Sequence, residues 1–266
     1  MSNPVPSPLL EFRDVTIIKD GKTILDSISL IIGKDDNIAI LGPNGSGKST
    51  LVKTILREHY PAVMEKESIF RIWGQDTWDA FVLRSHFGIV SSELQYVFTK
   101  KNIPGKEVLL SGFFSSIGLF HHQITQSMEE RVHEVAKFLE IEDLMDRSIM
   151  HMSSGEGRRL LIGRALVHKP TVLILDEPTN SLDLHALHIL RQYLRKIAQS
   201  GLRIILVTHQ IHDIIPEINH VIMMKEGTIF KSGKKEEILI DEIVKSLFSI
   251  PIHIRKEEGF YYATGY

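Results

Sequence analysis

Gly42-Pro43-Asn44-Gly45-Ser46-Gly47-Lys48-Ser49 follows directly on the apolar run Ile38-Ala39-Ile40-Leu41 and leads through Thr50 into a second apolar stretch from Leu51. Glycines at 42, 45 and 47 let the backbone turn inward so that its N–H groups converge. A helix starting near Lys48 adds its own unsatisfied N–H groups and the positive end of its dipole. The spacing is G-x-x-x-x-G-K-[ST], with the preceding strand and following helix that a phosphate-cradling loop requires. The loop is therefore read as holding a nucleoside triphosphate through its β-phosphate. Lys48 reaches the β/γ oxygens, Ser49 gives a hydroxyl to Mg²⁺, and Thr50 continues the turn beside the nucleotide.

Working outward, Leu9 to Ile18 and Thr23 to Ile32 are rich in β-branched and aliphatic residues around Lys19-Asp20-Gly21-Lys22, which predicts a hairpin in a small antiparallel layer. Leu51 to Glu58 reads as helix, and Ile69 to Trp73 and His86 to Val90 as short strands. Residues 92–152 turn helical in character, with Val132, Val135, Ala136 and Leu139 at helical spacing. From Thr171, strands at Thr171–Leu175, Arg203–Val207 and His220–Met224 alternate with helices, one running to about Gln199 and one between Val207 and His220. Such alternation implies a parallel sheet covered on both faces. From Glu236 a helix runs to Phe248, followed by two short strands around Pro251 to Tyr262. The expected fold class is α/β, a P-loop fold with a parallel core sheet, a small antiparallel β layer and a helical insertion, all in one compound domain over 1–266. Met1 to Pro8, with three prolines and no apolar run, reads as a short mobile lead rather than a signal peptide.

Composition narrows the function. The 266 residues can bury a large core, and 31 basic against 33 acidic side chains leave no broad basic surface, so nucleic acid is not an expected partner. With no cysteine, disulfides, thiolate metal sites and cysteine redox chemistry are excluded. No run approaches the roughly 18 apolar residues of a membrane span, so the chain is expected in the cytoplasm, held at a membrane if at all by another protein.

A second chemical signal is the run Val172-Leu173-Ile174-Leu175 ending in Asp176-Glu177. The C-terminal end of a parallel strand is where ligands sit. One carboxylate there can hold Mg²⁺ and its neighbour can take a proton from the attacking water, so Asp176 is assigned to metal and Glu177 to general base. His121-His122, His185 and His188 come near metal-ligand spacings without further ligands, and read as solvated or packed residues.

Taken together the motifs resemble the ATP-binding cassette (ABC) family from about Leu10 to Phe248. Gly42 to Ser49 corresponds to its Walker A loop, Leu173 to Glu177 to its Walker B strand, Ser181-Leu182-Asp183 to its D-loop and Thr208-His209-Gln210 to its switch histidine. Met152-Ser153-Ser154-Gly155-Glu156-Gly157-Arg158-Arg159 is similar to the LSGGQ signature and the basic start of its helix. On its own residues, this segment is a serine-capped helix start offering N–H groups to an anion.

The resemblance implies an ATPase with ATP and Mg²⁺ as ligands. It further implies a head-to-tail dimer with a second ABC ATPase subunit, the single cassette here making a homodimer. Ser153, Ser154, Gly155, Glu156 and Asp183 of one copy then complete the nucleotide site of the other, while His209 contacts the γ-phosphate and Glu177 orients water. Two positions depart from the family. The adenine-stacking aromatic is replaced by Lys19, with Phe12 the substitute on offer. The glutamine expected after Phe87-Gly88-Ile89-Val90 falls on Ser92, with Gln95 the candidate to take its role at the metal.

For the biological role, the implied reading is the ATP-binding subunit of a transporter. An integral membrane permease would dock beside Ser91 to Tyr96, with Phe113, Phe114, Ile117, Leu119 and Phe120 offered to that groove. The tail Ile243 to Tyr262 is similar to importer cassettes of the iron-siderophore, vitamin B12 and molybdenum-related group. The rival reading, which Ser92 favours, is a stand-alone soluble ABC ATPase in regulation or assembly.

Overall fold

The computed structural model describes residues 7–63, 67–119 and 121–265. The expected lead, as far as Pro6, and the groove residue Phe120 lie outside the described residues. The chain divides into two compact units, Met1–Arg84 with Ile205–Tyr266, and Ser85–Ile204.

In chain order the first stretch gives β1 (Leu10–Lys19), β2 (Lys22–Ile32), β3 (Ile38–Leu41), α1 (Lys48–Ile55), β4 (Ile69–Ile72) and α2 (Ala80–Ser85). The middle carries β5 (Phe87–Ser91), α3 (Ser92–Thr99), α4 (Gly105–Leu110), α5 (Gln126–Leu139), α6 (Ser154–Leu166), β6 (Val172–Asp176) and α7 (Leu184–Gln199). Then follow β7 (Arg203–Thr208), β8 (His220–Lys225), β9 (Thr228–Lys234), α8 (Lys235–Ile238), α9 (Asp241–Phe248), β10 (His253–Glu257) and β11 (Phe260–Thr264).

In the first unit β2, β1 and β4 form the antiparallel layer that the hairpin pattern predicts. Phe12 is fully buried in it, edge-on to Phe70 at 4.6 Å between ring centroids, so it belongs to the core and cannot stack on a base. Strand β3 has no exposed side chain and lies parallel between β7 and β8. An all-apolar strand is what burial on both faces demands. The polar strand β9, unforeseen in the sequence, adds to β8 in antiparallel sense.

Two expectations fail here for local reasons. The stripe Ile211, Ile214, Ile215, Ile218 has helical spacing, and all four are buried, yet only a 3₁₀ turn forms over Ile211–Asp213. Pro216 bars Ile215 from helical backbone, and the Thr208 hydroxyl donates to Asp213 Oδ2, which ties the segment into a turn. The tail helix is likewise two pieces, α8 and α9, separated at Leu239-Ile240, where Ile240 is extended.

In the second unit β5 and β6 pair in parallel, bringing Ser91 opposite Asp176. Helices α3 to α6 make up the helical insertion. In α5, Thr125 caps the N-terminus through Met128 N–H at 3.3 Å, and Val132, Val135, Ala136 and Leu139 form the buried stripe. Helix α7 starts on Asp183 and buries Leu190, Tyr193, Leu194, Ile197 and Ala198. Val108, Leu109 and Leu110 are core, whereas Phe113, Phe114, Ile117 and Leu119 are half-buried, and Phe114 stacks on His122 at 4.0 Å.

Candidate active site

In the first unit, the loop from Gly42 to Gly47 joins β3 to α1. Gly45 and Gly47 take positive φ, 79° and 98°, a region that side chains disfavour. Gly42 has no room for a side chain, since a Cβ there would stand 2.3 Å from Met224 O. The loop is pinned from two sides: Gly42 N–H donates to Thr208 O at 3.4 Å, and Gly227 N–H donates to Ser46 O at 3.2 Å. Gly47 caps α1 without any side-chain acceptor, so no capping side chain competes for the first N–H groups.

The Lys48 side chain is buried, and its ammonium donates to Gly42 O at 2.8 Å and Pro43 O at 3.0 Å. The same turn that exposes N–H groups thus also fixes a positive charge. Ser46 Oγ is buried without a hydrogen-bond partner, while Asn44, Gly45 and Ser49 are exposed and Thr50 is half-buried. A pinned loop of bare backbone with one cation and an unsatisfied hydroxyl fits a polyphosphate.

Beyond β7 in the same unit, Thr208 anchors the switch segment by accepting from Gln210 N–H at 2.9 Å. His209, half-buried, stands with Nε2 3.4 Å from Gln210 Nε2.

In the second unit, β6 delivers Asp176 and Glu177 at its C-terminal end. Glu177 has φ of 50°, a left-handed backbone that costs a non-glycine residue on the order of 1 kcal/mol and that clusters at functional positions. Its carboxylate accepts from Asn180 Nδ2, and its carbonyl from Ser92 Oγ at 3.5 Å. Asp183, expected at the nucleotide, caps α7 here through Ala186 N–H at 2.7 Å.

The signature segment forms a complete capping box. Ser153 Oγ accepts from Glu156 N–H at 3.2 Å, and Glu156 Oε2 accepts from Ser153 N–H at 2.7 Å. Arg147 pairs with Glu156 at 2.7 Å and, with the Ser153 bonds, brings the glutamate pKa down to about 2. Ser154 Oγ donates to Ser181 O at 3.1 Å, and Gly155 packs so closely on α7 that a Cβ would lie 2.9 Å from Ala186 Cβ. Arg158 is 3% exposed with Nε and Nη1 unpartnered, and burial pulls its pKa to about 10.

The two candidates for the displaced glutamine separate. Ser92 is the residue at Glu177. Gln95, expected at the metal, is 9% exposed, donates from Nε2 to Ser154 O at 3.1 Å and leaves Oε1 buried without a partner. Nothing in the sequence marks that contact, because it joins residues far apart in the chain. Among the described residues no group of three or more His, Cys, Asp or Glu could hold a metal ion, and His188 sits beside Gln192 at 3.0 Å.

A family model described as ABC transporter matches residues 25–180. An uncharacterized ABC transporter ATP-binding protein of Bacillus subtilis (strain 168), YlmA, is 32% identical over 251 residues, covering 92% of this chain and 93% of that protein. Among solved structures, cbiO1 from Clostridium perfringens, part of the ABC transporter complex cbiONQ, is similar with a TM-score of 0.71 at 26% identity, over 90% of this chain and 94% of that one. A dimeric ATP-binding cassette in a post-hydrolysis state, bound to ADP and Pi, gives a TM-score of 0.68 at 24% identity, over 85% and 98% of the respective chains.

Proposed function

Because the chain belongs to the ABC transporter family and is an ATPase cassette, we propose that it is the ATP-hydrolysing subunit of an importer whose membrane-spanning permease is a separate chain. The observation that carries the reading is the pinned loop Gly42–Gly47 with the Lys48 ammonium folded onto its carbonyls. Among the described residues no helix is long and apolar enough to cross a membrane, which is why a partner is assigned that task. The relation to cbiO1, a component of a multi-subunit transporter complex, supports it. The cytoplasmic face of a membrane is then its place of work, and both compact units serve one cassette. The sequence resemblance of the tail Ile243 to Tyr262, the segment of α9, β10 and β11, to siderophore, vitamin B12 and molybdenum-related importers is what favours import.

We assign two copies head to tail, in keeping with the dimeric cassette among the structural relatives. ATP is held by the loop N–H groups, Lys48 and Thr50 of one copy, and met by Ser153, Ser154 and Gly155 of the other. The Ser49 hydroxyl and the Asp176 carboxylate are hard oxygen donors of the kind Mg²⁺ takes, and the metal is assigned to them. Bound there it would offset phosphate charge. Glu177 takes the proton of the attacking water, and its strained backbone and Asn180 bond hold its carboxylate in one setting. His209 donates to the γ-phosphate as charge develops.

Ser92 in place of the family glutamine supports a second reading, a soluble ATPase with a regulatory or assembly role and no permease. Purification from native cells in mild detergent, with mass spectrometry and an ATPase assay, separates the two. A stoichiometric multi-span protein supports the transporter subunit. Active protein recovered without membrane partners overturns it in favour of the second reading.

A further inference from the structure

Gln95 presents an imbalance. Its side chain is almost fully buried, yet only the amide nitrogen is bonded, to Ser154 O at 3.1 Å, and Oε1 is left unsatisfied. A methionine or leucine would fill the same volume without stranding a carbonyl, so the glutamine is retained at a cost and the donor bond is what it provides. Its acceptor is the first residue of α6, in the signature segment. Gly157, one turn on, leaves the room for it: a Cβ there would come 3.4 Å from Gln95 Nε2.

From these contacts we infer that Gln95 is a positioning residue for the signature of its own chain, and so acts on the ATP bound by the other copy rather than at the metal of its own site. The inference rests on the head-to-tail dimer proposed above. Helix α3 supplies the rigidity: Ser91 caps its start through Leu94 N–H at 3.1 Å, Ser92 touches Glu177 O, and one turn later Gln95 holds Ser154. Ser154 Oγ in turn donates to Ser181 O in the turn after Glu177. A single helix therefore sets both the segment carrying the general base and the segment that meets the neighbour's phosphate.

The test is subunit mixing. Gln95→Met preserves volume and removes the bond, and is expected to fold as the parent does while its ATPase rate falls about tenfold, the scale of one hydrogen bond lost from the closed site. It is then mixed one to one with Lys48→Ala, which has an intact signature and no functional phosphate loop. If Gln95 works through the signature, each heterodimer regains one complete site, and the mixture recovers about a quarter of the parental rate, half the dimers having one of two sites live. If Gln95 serves its own metal, no heterodimer has a complete site and the mixture stays at the level of the variants, which overturns the inference. Ser153→Asp, which keeps an N-cap acceptor at an exposed position and sets a carboxylate where the neighbour's phosphate would come, mixed with Lys48→Ala is the control. Recovery in the control without recovery for Gln95→Met sinks the positioning role alone, whereas failure of both sinks the dimer reading on which it rests. Parental activity of Gln95→Met on its own also refutes it.

Discussion

The start of α1 at Lys48 and the start of α6 at Ser154 both offer helix N-terminal N–H groups, yet they are finished in opposite ways. Before α1 stands Gly47, with no side-chain acceptor, followed by a buried cation. Before α6 stands Ser153, whose hydroxyl and reciprocal Glu156 already occupy N–H groups of the first turn, and Glu156 places a carboxylate there that Arg147 balances. The first end is arranged for standing affinity toward a polyphosphate. The second already has one first-turn N–H taken by Ser153 and a carboxylate beside it, and serves an anion as a conditional contact, which suits a segment that meets a nucleotide when two copies close.

Breaking the stronger end has the largest expected effect. Lys48→Ala removes the cation held by Gly42 O and Pro43 O, and ATP turnover is expected to fall roughly 10³-fold with loss of nucleotide affinity. Retained ATP binding in an equilibrium assay would contradict the assignment. Glu177→Gln keeps shape and the capacity to contact Asn180 but cannot accept the proton, so hydrolysis should drop roughly 10²-fold while ATP binding persists. If single-turnover hydrolysis matched the parent, Glu177 would not be the base.

The contrast also shows how much could be read in advance. The phosphate loop and the strand Val172–Asp176 were legible because residue types over a few positions impose the backbone: glycines where φ is positive, uninterrupted aliphatics where a strand is buried on both faces. The Ser153–Glu156 box is local in the same way. What stayed hidden was long-range or negative. Strand β9 is mostly polar and earns its place only by pairing with β8. The isoleucine stripe after β7 has every mark of a helix except Pro216, and the partner of Gln95 lies 59 residues further along the chain.

At the weaker end, Ser153→Ala removes the acceptor for Glu156 N–H. Loss of such a cap typically costs ~1 kcal/mol, which would lower the melting temperature by a few degrees and leave the phosphate loop's affinity for ATP unchanged. An equal loss of ATP affinity would mean that the two helix ends are not separable as described.

The smallest effect concerns charge. Glu156 in the folded chain has a pKa of about 2, set first by Arg147 and then by the Ser153 bonds, against an ordinary glutamate value of about 4.3. A depressed carboxylate pKa contributes stability that is present above the unfolded value and is lost as pH falls from about 4.3 through about 2. With 24% of the Glu156 side chain and 43% of the Arg147 side chain exposed, solvent screening holds that contribution to about 1 kcal/mol. Melting temperatures of the parent and Glu156→Gln should therefore differ at pH 6 and converge as pH falls below about 4.3. A gap that stays constant into acid would assign the loss to packing rather than to charge. At neutral pH the same variant removes a negative charge from the start of α6 and with it the repulsion of an incoming phosphate, so ATP turnover should rise by about twofold, equivalent to about 0.4 kcal/mol. A fall instead would mean that the carboxylate's hold on Ser153 N–H matters more for the signature than the repulsion it exerts on an incoming phosphate.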